Sequence, residues 1–309
     1  MKKNNGLPNT LQEAIIYFSD QKNAIDFVAG LRWPDGVTCP HCESKEQYFL
    51  ATRKVWKCKK CGKQFSVKVG TIFEDSPVTL DKWLTAIWMI ANAKNGISSY
   101  EIARALGVTQ KSAWFMLHRI RLAMQIGSFE KLAGQVEVDE TYIGGKARNM
   151  HKGARKAQGR GANGKTAVMG LLERHGKVVT KVVHDTKQES LLSEIDNRVE
   201  AGSEVFTDAF PAYRAMDDKF VHHVIDHAVE YVNGQVHTNG IENYWSLLKR
   251  TIKGTYVSVE PFHLFRYLDE QAFRFNNRKL NDYERFVDAI RNISGHRLTY
   301  DKLIGDYHA

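Results

Sequence analysis

Four cysteines and a short run of acids are the residues in this chain whose types and spacing could do chemistry. Cys39, Cys42, Cys58 and Cys61 are the chain's only cysteines, and they form two CxxC pairs, CPHC and CKKC, fifteen residues apart. Each pair can present two thiolates from one tight turn, and two such turns face to face supply a tetrahedral site for Zn²⁺. A disulfide reading needs an oxidising compartment, which nothing in the sequence supports. A dithiol redox motif needs one CxxC beside a βαβ unit, not two in register. His41 lies inside the first turn, but four thiolates already fill the site. The acids lie in GQVEVDETYIGGK, residues 134–146. Val136 and Val138 alternate as half-buried strand positions, so Glu137 and Asp139 share the opposite face, with Glu140 directly after them. Three carboxylates in four residues repel one another unless positive charge sits nearby, which predicts bound cations.

The elements around these residues must position them. The segments SKEQYFLATRKVWK and GKQFSVKVG flanking the second cysteine pair read as short hairpin strands, which makes the cysteine region a zinc ribbon. TLDKWLTAIWMIANA predicts a buried helix opened by Thr79 or Asp81, with Trp83, Ile87, Ile90 and Ala91 along one stripe. Next, Ser98 or Ser99 caps YEIARALG, Gly107 ends it, and Thr109 caps QKSAWFMLHRIRLAM. Two short helices joined at a glycine, the second bearing basic residues, form a helix-turn-helix pattern. On the DNA-binding reading Gln110, Lys111 and Ser112 face a major groove. On the alternative it is a helical hairpin packed through Trp114, Leu117 and Ile120.

Beyond residue 134 the pattern changes. Residues 135–184 read as three strands, KQESLLSEIDNRVEAG as an amphipathic helix stopping at Gly202, and EVFTDAF as a strand with Asp208 at its end. FVHHVIDH is another strand, and HTNGIENYWSLLKRTIKG is a helix capped by Thr238 or Asn239 and stopping near Gly254. Three antiparallel strands, a helix, a strand, then a strand and a helix describe an RNase H-like α/β domain. In such a sheet an acid on the first strand and one ending the fourth are neighbours, and an acid on the later helix packs over both. Asp139, Asp208 and Glu242 occupy those places. Converging carboxylates of this kind hold Mg²⁺ or Mn²⁺ for in-line phosphoryl transfer on nucleic acids.

Composition agrees with such a partner. Lys and Arg outnumber Asp and Glu by 44 to 35, a net charge of +9 that suits a polyanion. Hydrophobic content of 43% excludes a disordered chain. The N-terminal MKKNNGLPNT lacks the apolar core of a secretory signal, and WLTAIWMIANA is too short to span a bilayer. The expectation is a soluble, cytoplasmic protein without membrane contact. Residues 146–165 hold seven Lys or Arg and no acid, a basic, glycine-containing loop suited to clamping a DNA backbone.

At the level of motifs, the sequence resembles the zinc-ribbon transposases of bacterial insertion sequences related to the Merlin-type DNA transposons, in the DDE class. FVAGLRWPDGVTCPHC resembles the approach to that group's ribbon, VEVDETYIGGK its first catalytic strand, VFTDAFPAYR its second acid and HTNGIENYWSLLKR its third. The resemblance implies metal-dependent strand cleavage and strand transfer on double-stranded DNA, acting at an element's terminal inverted repeats and on target DNA, as a homodimer or higher oligomer. It implies Asp139, Asp208 and Glu242 as metal-binding acids and Lys249 as a contact to DNA near the scissile phosphate. Gln110, Lys111, Arg155, Lys156, Arg160, Lys249 and Arg250 are the expected DNA-binding residues. Relatives vary at the third acid, so Asn239 and Asn243 remain alternatives for that role, and His237 matches a motif histidine whose function the chemistry does not define. Glu137 and Glu140 compete with Asp139; Glu140 points off its face, and Glu137 is expected behind the site, in support.

The expected organisation is an N-terminal helix and zinc ribbon over 1–75, a helix-turn-helix segment over 76–130, the RNase H-like domain over 131–256, and C-terminal helices over 257–309 packing on it. Phe262, Phe265, Phe273 and Phe275 form that last segment's aromatic stripe. Two rival functions stay open: a zinc-ribbon and helix-turn-helix regulator without catalysis, and an RNase H-like nuclease that stops at hydrolysis.

Overall fold

The computed structural model describes residues 6–125, 131–144, 164–216, 218–225 and 237–305. The chain forms two compact units, one of Met1–Gln125 with Lys279–Ala309 and the other of Ile126–Arg278.

The first unit opens with helices α1 (Leu11–Ser19) and α2 (Gln21–Arg32), begun by the side-chain caps Thr10 and Asp20. A three-stranded antiparallel ribbon follows: β1 (Gln47–Leu50), β2 (Val55–Cys58) and β3 (Gln64–Phe65). Helix α3 (Leu80–Asn92) starts at Thr79 and buries Trp83, Ile87, Ile90 and Ala91. Helices α4 (Ser99–Leu106) and α5 (Gln110–Met124) are joined by a short turn. Ser98 and Glu101 form a reciprocal capping box, Gly107 ends α4 in the left-handed conformation, and Thr109 caps α5. Of the basic residues of α5, Lys111 near the start is exposed, while those further along are not offered to solvent. Arg119 and Arg121 are buried, and Arg119 donates to the carbonyls of Ile72, Glu74 and Leu298.

In the second unit β4 (Gln135–Ile143), β5 (Thr166–Glu173) and β6 (Val178–Val183) make an antiparallel meander. Helix α6 (Gln188–Arg198), strands β7 (Glu204–Asp208) and β8 (Val221–Ile225), and helices α7 (Asn239–Thr251) and α8 (Leu264–Asn276) follow. The sheet order is β6-β5-β4-β7-β8, with β4, β7 and β8 parallel. This is the RNase H-like arrangement expected from the element order. Val136, Val138, Leu171 and Val205 pack with Leu191 and Ile195 of α6 on one face. Val168 and Leu172 pack with Ile241, Trp245, Leu248 and Leu268 of α7 and α8 on the other. The period of two along β4 therefore sends its valines toward α6 and its acids Glu137 and Asp139 toward α7.

Two of the expected boundaries differ. Helix α6 ends at Arg198 rather than Gly202, because Val199 leaves it to bridge Leu132. Helix α7 closes in a π-helical turn, Ile252–Tyr256, so it stops near Gly254 as expected. The 257–309 segment does not pack as one piece on the five-stranded sheet. Helix α8 does: the Asn276 side chain bonds both backbone groups of Val178 on β6. Helices α9 (Asp282–Arg291) and α10 (Tyr300–Ile304) belong to the first unit, where Phe286 packs with Phe18, Phe27 and Trp88. Of the aromatic stripe, Phe273 is buried while Phe262 and Phe265 are exposed. Among the described residues no helix is long and apolar enough to cross a membrane.

Candidate active site

The two cysteine turns are built alike. The Cys39 N–H donates to the Ser44 carbonyl and the Cys58 N–H to that of Lys63, while Glu43 and Gly62 take positive φ at matching positions. The four Sγ atoms lie within 4.8 Å of one another, with Cys39 to Cys61 at 3.8 Å and Cys42 to Cys58 at 3.6 Å. A tetrahedron of sulfurs around Zn²⁺ has edges of about 3.8 Å, given a Zn–S bond of about 2.3 Å. The spacing fits zinc and is far too long for a disulfide. Cys58 is drawn down to about 6, first by the backbone N–H of Cys61, which favours the thiolate a metal needs.

The acids meet elsewhere. Parallel strands β4 and β7 pair through Glu137 opposite Phe206, and Asp139 and Asp208 each lie two residues beyond that pair. Glu242 is in the first turn of α7. All three line one open pocket of about 300 Å³, together with Glu140, Thr238, Trp245 and Lys249. Asp139 is held at both oxygens: the Trp245 indole N–H donates to Oδ2 at 2.9 Å and the Glu140 N–H to Oδ1 at 2.8 Å. The indole reaches it because Gly170, paired with Asp139 across β5, has no side chain; a Cβ there would lie 2.6 Å from the Trp245 ring. Thr238 donates to Glu242, and the Phe210 N–H donates to Asp208.

Electrostatically the pocket is unsatisfied by the protein alone. Burial first, then repulsion from Asp208 and Glu242, pushes Asp139 up to about 6 against the pull of its two hydrogen bonds. Glu140 is pushed up to about 8 by burial, Asp139 and Asp208, and its Oε1 is buried without a hydrogen-bond partner among the described residues. Such a cluster suits divalent cations. The three acids do not close within 4.8 Å of one another, as only the cysteine quartet does among the described residues.

Several residues have places the sequence did not foresee. Parity puts Glu140 off the Asp139 face, yet it lines the same pocket, because pairing of β4 with β7 has already ended. Asn239 and Asn243 are exposed and lie outside the lining, whereas Glu242 and Lys249 lie in it, two helical turns apart. Arg250 is exposed one position further round α7. Gln110 donates to Ser99 at 2.8 Å and Lys111 lies over the Tyr300 ring, so both have partners inside the first unit. Arg155, Lys156 and Arg160, with most of the basic loop, lie outside the described residues. Trp245, Gly170 and Arg174 were not anticipated; a glycine inside an apolar strand was the one available hint.

An RNase H-like sheet with clustered acids, on a chain that also carries a zinc ribbon, defines a class of protein that processes nucleic acid. Comparison with known proteins narrows it. A family model described as an ISXO2-like transposase domain matches residues 131–276, and one described as a transposase zinc-ribbon domain matches residues 19–64. A protein in the transposable element ISH50 of Halobacterium salinarum is 31% identical over 252 residues, covering 75% of this chain and 83% of that protein. A transposase-like protein of Haemophilus influenzae is 33% identical over 105 residues, 34% of this chain and 85% of that protein. A likeness to the crystal structure of a pre-cleavage Mos1 transpososome covers 67% of this chain and 78% of that one, at 12% identity and a TM-score of 0.27. The chain belongs to the ISXO2-like transposase family.

Proposed function

We propose that the chain is a DDE transposase that cuts DNA at the ends of an insertion sequence and joins the freed strands to target DNA, using the pocket of Asp139, Asp208 and Glu242. The observation that carries this reading is the convergence of acids from β4, β7 and α7 on one pocket that also holds Lys249. Divalent ions, when bound there, supply Lewis-acid activation of a water or 3′-hydroxyl and neutralise charge on the leaving oxygen. Asp139, Asp208 and Glu242 would provide the anionic ligands. Trp245 holds the Asp139 carboxylate in one orientation, so little rearrangement is needed when a cation arrives. Lys249, the only Lys or Arg among the described lining residues, holds a phosphate of the bound strand. Four thiolates holding structural Zn²⁺ keep the ribbon folded, and ribbon, α5 and basic loop grip DNA. Assembly as a dimer or higher oligomer on the element ends, in the cytoplasm, completes the reading.

The test uses purified full-length protein with labelled duplexes carrying the element ends, in Mg²⁺ or Mn²⁺ and in EDTA. Metal-dependent nicking followed by joined products is the expected result. Binding without cleavage would leave a regulator, and cleavage without joining a nuclease.

A further inference from the structure

We propose that the buried Glu137–Arg174 pair is a positioning clamp that ties together the three chain segments bearing Asp139, Asp208 and Glu242. The inference rests on the reading of those acids as the metal-binding set, and it makes Glu137 a support rather than a ligand.

Glu137 is 1% exposed, two residues before Asp139 on the same strand and face. Its Oε1 accepts from Arg174 Nε at 2.9 Å, and its Oε2 accepts from the backbone N–H of Ile241 at 2.9 Å. The second bond matters because α7 has no cap of its own: Thr238, at the N-cap, makes no side-chain bond to the helix backbone. Its hydroxyl donates instead to Glu242. A carboxylate from strand β4 therefore takes an orphan N–H at the start of the helix that carries Glu242, where the positive end of the helix dipole favours it. Gly240 lets the helix come this close. A Cβ there would lie 2.8 Å from Glu137 Oε2 and 2.7 Å from a Leu172 methyl.

Arg174 extends the link to the remaining segments. Its Nη2 donates to the His237 carbonyl at 2.6 Å, just ahead of α7, and lies 3.4 Å from that residue's Nδ1. Its guanidinium carbon stacks 3.9 Å above the Phe206 ring, two residues before Asp208 on β7. Its backbone N–H donates to the Gln135 carbonyl on β4. One guanidinium and one carboxylate thus touch β4, β7 and the start of α7, each within a few residues of an acid of the pocket. His237 gains a function from the same arrangement, since its carbonyl anchors the chain entering α7.

The probe is Mn²⁺ alone, titrated into full-length protein without DNA and followed by electron paramagnetic resonance, with thermal unfolding recorded in parallel. Removing Glu137 outright would leave a buried guanidinium unpaired, so the variants are gentler. Glu137→Gln keeps the shape, Arg174→Lys keeps the charge but not the fork, and Gly240→Ala keeps both charged side chains but forces α7 away from the Glu137 carboxylate that takes the Ile241 N–H. Each is expected to weaken Mn²⁺ binding by about 10- to 100-fold, the usual effect of losing a group that orients metal ligands. Leu191→Ala, in the core under α6, is the control: it lowers the unfolding temperature and leaves Mn²⁺ affinity unchanged. Should all three variants bind Mn²⁺ within about twofold of wild type, or lose affinity only as Leu191→Ala does for equal loss of stability, the clamp is refuted. Asp139→Asn separates that failure from failure of the site itself. If that variant binds Mn²⁺ as wild type does, the assignment of the acids is what falls.

Discussion

Replacing Asp139 by Asn removes a charge that the metal-free fold holds at a cost. Asp139 titrates at about 6 in the folded protein instead of 3.8, chiefly because it is buried. Between those pH values the folded state binds more protons than the unfolded one. Stability is therefore fully present below about pH 4 and falls as pH rises through about 6. At 1.36 kcal/mol per pH unit the loss reaches about 3 kcal/mol by neutral pH. Glu140, pushed up to about 8, extends the decline to higher pH, but the two share one repulsion and their costs do not simply add. The introduced amide keeps the volume but cannot accept both N–H groups, and the lost bond to Trp245 offsets about 1 kcal/mol. In divalent-free buffer at pH 7.5, Asp139→Asn should thus be more stable than wild type by about 2 kcal/mol. It should also lose the stabilisation that saturating Mn²⁺ gives the wild type. Denaturant unfolding followed by ¹⁹F NMR of fluorotryptophan reports the right unit, because Trp245 is the only one of six tryptophans within 126–278. A metal-free wild type that gains stability from pH 5 to pH 8, or an Asp139→Asn protein less stable than it at pH 7.5, would refute the reasoning.

Other outcomes follow from single interactions. Gly170→Ala should destabilise the sheet unit by about 1–3 kcal/mol through overpacking against Trp245, and should lower strand cleavage more than DNA binding, which gel shifts and cleavage assays separate. Cys58→Ser should reduce bound zinc below one equivalent by metal analysis and unfold the ribbon, leaving the sheet unit's Mn²⁺ affinity intact; full zinc content would defeat the four-thiolate assignment. Neutralising Arg155, Lys156 and Arg160 together should weaken binding to every duplex alike and flatten its salt dependence, by about one unit of slope for each phosphate no longer neutralised. Lys249→Ala should slow cleavage less than Asp208→Asn does, because it leaves the metal ligands in place, and single-turnover rates at saturating metal measure the difference.

Much of the site was legible because its signals are local. Two CxxC pairs in register, fifteen residues apart, leave few alternatives to zinc. Ser98, Gly107 and Thr109 mark helix ends through bonds made within four residues, and the alternation of Val136, Glu137, Val138 and Asp139 assigns faces directly. The order of elements suffices to place Asp139 beside Asp208, since parallel pairing of the first and fourth strands follows from the topology. Helix boundaries that failed did so for non-local reasons. Val199 leaves α6 for Leu132, a partner 67 positions away, and α9 joins the first unit because Phe286 completes an aromatic cluster built by α1, α2 and α3.

By itself the sequence determined the grouping of the four cysteines into a zinc-ribbon pattern, the strand and helix that carry each acid, and the basic character that suits a polyanion, because residue type and short-range spacing carry those facts. It could not determine where each acid sits once the strands are assembled. Glu137 and Asp139 differ by two positions on one face, yet one is sealed under α7 against Arg174 and the other opens on the pocket. Glu140 points the opposite way along the strand and still reaches the same pocket. Only the tertiary structure decided these placements, because they depend on where β7 stops, how closely Gly240 lets α7 approach, and which buried charge finds a partner. Desolvation and pairing are properties of the assembled interior, and no spacing along the chain encodes them.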